Sequence, residues 1–168
     1  MGKHAIAAII VLCGFSMECA AQSVTIPRSV PYAADSEVAG NIKRECAIDV
    51  KLADFIAEYA AERKIPVTFA PETSSAMPGR VLVVEIRDAT SSGNAFLGHH
   101  KSTLVRGQYY EDSKLLGSFK DRRDSMGGMF AGFKGSCSVL GRTVREIGKD
   151  IAEWMANPKQ DSDLGDLK

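Results

Sequence analysis

Apolar residues run without a break from Ala5 to Phe15, and beyond them the chain shows two distinct periods. Val24-Thr25-Ile26 is a short strand signal followed by Pro27 and Pro31. Proline cannot donate to a sheet ladder, so this stretch is expected to be an edge strand or an extended lead-in. Leu52, Phe55, Ile56, Tyr59 and Ala60 then recur at helical spacing, with Asp49 as N-cap, Arg63 and Lys64 in the last turn and Pro66 as the stop. An earlier start near Ile42 also fits, because Ile42, Cys46, Val50 and Ala53 continue a stripe. Val67-Thr68-Phe69 is a second short strand, and residues 70–80 have loop composition. Val81 to Arg87 is the strongest strand, and its near-continuous apolar run predicts a central position. Glu85 and Arg87 share a face with Val81 and Val83.

Residues 89–98 are expected to form a flexible connection. Strands over Ser102–Tyr110 and Lys114–Arg122, with a polar turn at Glu111-Asp112-Ser113, predict a hairpin. A second helix places Leu140, Val144, Ile147, Ile151, Trp154 and Met155 on one face. Thr143 and Glu146 are spaced as a capping box, and Ser136 or Ser138 could instead cap an earlier start. Asn157-Pro158 ends it, and the polar, acidic residues 159–168 are expected to be a loose tail. Two amphipathic helices need a sheet face to cover. The expected fold is therefore α+β: a two-layer sandwich whose mixed, mostly antiparallel sheet has four to five strands, with two helices packed on one face.

The first residues change the picture of location. Lys3 and His4 precede the apolar run, and Cys19-Ala20-Ala21 supplies the small-x-small pattern of a cleavage site, so residues 1–21 are expected to be a signal peptide and Gln22 the new N-terminus. The apolar run is too short for a span, which needs about 20 residues. Neither Cys13, after Leu12, nor Cys19, after Glu18, stands in a lipidation context. The expectation is one domain over residues 22–158, periplasmic or secreted, with no stable membrane insertion once the leader is removed.

Charge narrows the partners. Lys and Arg number 21 and Asp and Glu number 21, which gives no general attraction for nucleic acid or anionic lipid. After cleavage Cys46 and Cys137 are the cysteines left, and an even count in an oxidising compartment favours a disulfide. Closing a loop of about 90 residues would contribute roughly 4–5 kcal/mol in the chain-entropy model. A pair of reactive thiols is the alternative, since both cysteines precede or open predicted helices. No Cys-x-x-Cys pair supports it.

Candidate chemistry is sparse. In Ser125–Ser136 the glycines 127, 128, 132 and 135 alternate with Met126, Met129, Phe130 and Phe133. Gly127 and Gly132 have phosphate-loop spacing, but Phe133 stands where that motif needs lysine. The Gly128–Gly132 pair has the small-xxx-small spacing of membrane helix packing, in a stretch too short and glycine-rich to span. Two readings remain: a partner-binding loop built on adaptable Met and Phe side chains, or a loop whose apolar residues tuck into the core while glycines allow its turns. Adjacent His99 and His100 on a strand point to opposite faces, and no third ligand completes a zinc set. Lys120-Asp121-Arg122-Arg123-Asp124 is expected to be a solvated face, with a docking patch as the alternative. Glu85, Arg87 and Asp88 are spaced as common surface residues, and no motif nominates a catalytic residue, metal site or cofactor.

At SSGNAFLGHHKS, RDSMGGMFAGFKGSCSVLGRT and KDIAEWMANP the chain resembles a group of short, uncharacterised exported bacterial proteins, over about Gly40 to Pro158. The two-cysteine layout belongs to that resemblance. The order of elements is also similar to the small α/β domain of TolB-like and curli-secretion-lipoprotein-like envelope proteins, a likeness of fold that implies no function. The resulting expectation is a non-enzymatic envelope module that binds another protein or assists assembly. The alternatives are an inhibitor or immunity-type protein acting on a cell-wall hydrolase, and an enzyme using Glu85, Asp88 or the histidines.

Overall fold

The computed structural model describes residues 22–94, 98–125 and 135–168, with backbone alone for residues 92–94, 98, 99 and 136. In chain order the elements are β1 (Val24–Pro27), α1 (Gly40–Glu45), α2 (Ile48–Glu62), β2 (Val67–Ala70), β3 (Arg80–Asn94), β4 (Gly98–Glu111), β5 (Lys114–Ser125), α3 (Ser136–Met155) and β6 (Ser162–Gly165). The strands form one sheet in the order β2-β1-β3-β4-β5-β6. The fold is the expected α+β class, with six strands rather than four or five and a third, short helix. The long β3–β4–β5 meander is antiparallel, and the short flanking strands pair in parallel.

Alternation along the meander sorts its residues. Leu82, Val84 and Ile86 of β3, Val105 and Tyr109 of β4 and Phe119 of β5 are buried with Leu52 and Ile56 of α2 and Val144, Ile147 and Ile151 of α3 in one core. Helices α2 and α3 approach closely at Gly148, where a Cβ would lie 2.6 Å from the Phe55 Cβ and 3.0 Å from the Ile56 backbone nitrogen. Cys46, just before α2, and Cys137, in the first turn of α3, are joined with Cα atoms 4.7 Å apart.

Several expectations need correction. β1 is interior, not an edge. Its pairing with β3 covers Val24 and Thr25 alone, so the missing N–H of Pro27 falls beyond that ladder. The stripe from Ile42 to Ala53 is broken into α1 and α2 by Ala47, which takes a left-handed conformation (φ 47°). Asp49 lies inside the first turn of α2, where it accepts a bond from the Ser29 hydroxyl (2.6 Å), and it is not the cap. Thr143 and Glu146 make no capping box, because α3 begins seven residues earlier. The Thr143 hydroxyl is buried and bonded to the Leu140 carbonyl and to Thr103 Oγ1, each at 2.8 Å. Residues 89–94 and 98–101 belong to long strands, since pairing continues past the apolar run to Asn94↔Gly98. The hairpin turn is Asp112-Ser113, both with positive φ, the combination that matches the twist of its strands. Residues 159–168 are not wholly a loose tail: Ser162–Gly165 adds β6 to β5, and Leu164 is buried.

Candidate functional site

With α2 and α3 on one face, residues at odd positions of β3 before its bulge at Ile86/Asp88 and at even positions of β4 and β5 look the other way. Val83, Glu85, Arg106, Gln108, Ser118 and Lys120 thereby line a shallow cavity of about 670 Å³, walled on one side by Asp161, Ser162 and Asp163. The wall is held by Ser118: its hydroxyl lies 3.1 Å from Asp161 Oδ1 and accepts the Asp161 N–H at 2.8 Å. Asp161 adopts a positive φ (51°) there.

Charge on this face is ordered by geometry. Glu85 accepts a short bond from Arg106 Nε and lies 3.4 Å from Arg87. Arg87 sits at the β3 bulge between Ile86 and Asp88, and its guanidinium forks onto Asp35 at 2.6 and 2.7 Å. That bond holds the Asp35 carboxyl below its ordinary range and raises the Arg87 guanidinium. The floor of the cavity thus presents a cation–anion row, with Lys120 and Asp163 toward the β6 side.

The other face of β5 holds the least expected group. Asp121 is wholly buried, and neither carboxyl oxygen has a hydrogen-bond partner among the described residues. Burial, reinforced by Asp150, pushes its pKa up to about 8. Arg123 forks onto Asp150 at 2.7 and 2.8 Å and reaches Asp166 at 3.2 Å, so its charge is shared among other carboxylates. Gly165 covers Asp121 closely: a Cβ there would stand 2.5 Å from Asp121 Oδ1 and 2.4 Å from the Arg122 carbonyl.

The expected solvated face over residues 120–124 is therefore corrected. Lys120 is exposed, but Asp121 is buried and Arg123 is half-buried in an ion-pair network. Strand alternation from buried Phe119 was the signal, since i and i+2 share a face. The structure brings Glu85 and Arg87 together on the open face. His100 lies 3.3 Å from Asp124, and the side chain of His99 falls outside the described residues. Met126, Met129, Phe130 and Phe133 also fall outside the described residues. Among the described residues no group of three or more His, Cys, Asp or Glu is arranged to hold a metal, and no helix is long and apolar enough to cross a membrane.

No protein-family model matches the chain, and no curated protein does either. A solved structure from Xanthomonas campestris, assigned to the DUF330 family model, aligns with a TM-score of 0.57 at 12% identity over 80% of this chain and 83% of that one. The shared property is the fold. A minor lipoprotein from Acinetobacter baumannii aligns with a TM-score of 0.46 at 9% identity, over 83% of this chain and 98% of its own. The PelC dodecamer from Paraburkholderia phytofirmans gives 0.47 at 11% identity, over 76% of this chain and 86% of its own.

Proposed function

We propose that this chain is a non-catalytic envelope module that binds an extended segment of another envelope protein along the helix-free face of its sheet. The observation that carries the reading is the cavity between Val83 and Asp163, open on a face that neither α2 nor α3 covers and lined by charges of both signs. Glu85, Arg106, Lys120 and Asp163 suit a polypeptide carrying both charges and disfavour a polyanion. The leader-like residues 1–21 and the Cys46–Cys137 bond support an oxidising, extracytoplasmic setting.

A photo-crosslinking residue at Gln108 tests the reading in intact cells. The expected result is a discrete adduct that disappears when Arg106→Glu and Lys120→Glu are combined, in a variant shown by circular dichroism to retain the fold. Absence of a discrete adduct, or one indifferent to charge reversal, would reject the groove as the docking surface.

A further inference from the structure

The second edge of the sheet is closed by four residues over a buried acid. On β6, Leu164 alone is buried, and it stands opposite Asp121 in the parallel register. Among the described residues, the groups that face Asp121 come from β4, β5, α3 and the segment after β6. Val105 of β4 is its apolar neighbour on the other side. Arg123 lies two residues along β5, Asp150 comes from α3, and Asp166 and Lys168 follow β6. The Arg123 guanidinium is bonded to Asp150 and Asp166, and among the described residues neither Asp121 oxygen has a donor, Oδ1 lying against Gly165. A neutral carboxyl tolerates such a site; a carboxylate requires donors or water.

We infer that β6 is a pH-sensitive latch on the β5 edge, seated while Asp121 is neutral and released when Asp121 ionises. Release of β6 is the most economical route to solvating the carboxylate. It removes one buried apolar side chain from the core, whereas withdrawing α3 would expose Val144, Ile147 and Ile151. It would also break the Asp166 N–H bond to the Arg122 carbonyl (2.8 Å) and the Trp154 indole bond to Ser162 (3.1 Å). The β5 backbone from Phe119 to Arg122 would then be a free edge able to take another strand. Because Asp161, Ser162 and Asp163 wall the cavity on the opposite face, release also widens that cavity.

Linkage sets the size of the effect. An Asp121 freed by release titrates near its ordinary 3.8 and a covered one near 8. Between those values the covered state holds the extra proton, so seating weakens by up to about tenfold for each unit of rising pH and levels off above 8.

Hydrogen exchange on the oxidised protein beginning at Gln22 reads this without any partner, so failure of the groove reading would leave the result intact. Protection of the Asp166 amide and the Trp154 indole, corrected for intrinsic rates, is expected to fall several-fold per pH unit from pH 5 to 8. Amides of the β3–β4 ladder should remain better protected throughout. Asp121→Asn should flatten the dependence, with Asp121→Leu as a second neutral variant should the amide fail to fold. Asp150→Asn should retain a slope. Equal exchange of β6 and the β3–β4 ladder, a flat wild-type profile, or a slope removed by Asp150→Asn but not by the Asp121 variants would each overturn the latch.

Discussion

Asp121 couples stability to pH in the direction opposite to that of a salt-bridged carboxylate. Its native pKa of about 8 lies above the unfolded value of 3.8, so the folded state holds a proton that the unfolded state has released. Its contribution to stability is therefore fully present below about 4 and is lost between about 4 and 8, by at most roughly 1.4 kcal/mol per unit. Urea unfolding at pH 5, 6, 7 and 8 is expected to show that decline in the wild type and a shallower one in Asp121→Asn. Asp35 acts the other way: its lowered pKa supports the fold above the ordinary carboxylate range and loses that support only as pH falls through it. Gly165→Ala should destabilise by more than about 1 kcal/mol, since it strains a left-handed residue (φ 63°) and drives a methyl toward Asp121. At this scale the site was partly legible. Alternation from Phe119 places Asp121 inward, but five charged residues in a row have the composition of a solvent-facing strand.

The elements were readable wherever a side chain had to choose between core and water. Leu52, Phe55 and Ile56 marked α2, and Leu140 to Met155 marked α3. What escaped were features set by partners distant in sequence. Ser91 and Ser92 extend β3 because β4 pairs with them, and β6 exists because β5 offers an edge. The break at Ala47 has no residue signature, since alanine is not a usual left-handed residue. Gly148 is where α2 and α3 meet. Gly148→Val should cost roughly 1–3 kcal/mol through overpacking against Phe55 and Ile56, measured as a lowered urea midpoint with little change in far-ultraviolet ellipticity.

For the whole molecule, the Cys46–Cys137 bond ties the entry of α2 to the first turn of α3 and spans 91 residues. Reduction and alkylation should lower stability by about 2–5 kcal/mol, the chain-entropy value being the upper end, checked by paired thermal unfolding of the oxidised and reduced forms. Protein recovered from the periplasm is expected to begin at Gln22 and to take up two alkylating groups only after reduction, as read by intact mass. The layering was legible because two one-sided helices require a sheet to cover. The proposed docking face was not, because a solvent-facing strand residue such as Gln108 differs in no local respect from an idle one.

The place of β6 in the chain bears on how the molecule comes into being. β3, β4 and β5 are consecutive and joined by short connections, so they can assemble as soon as they leave the ribosome or a translocation pore. β6 must wait for all of α3. Until residues 162–165 emerge, a nascent chain carries an open β5 edge and a solvated Asp121. In N-to-C order the β5 edge is therefore completed after α3, and not together with the β3–β4–β5 meander.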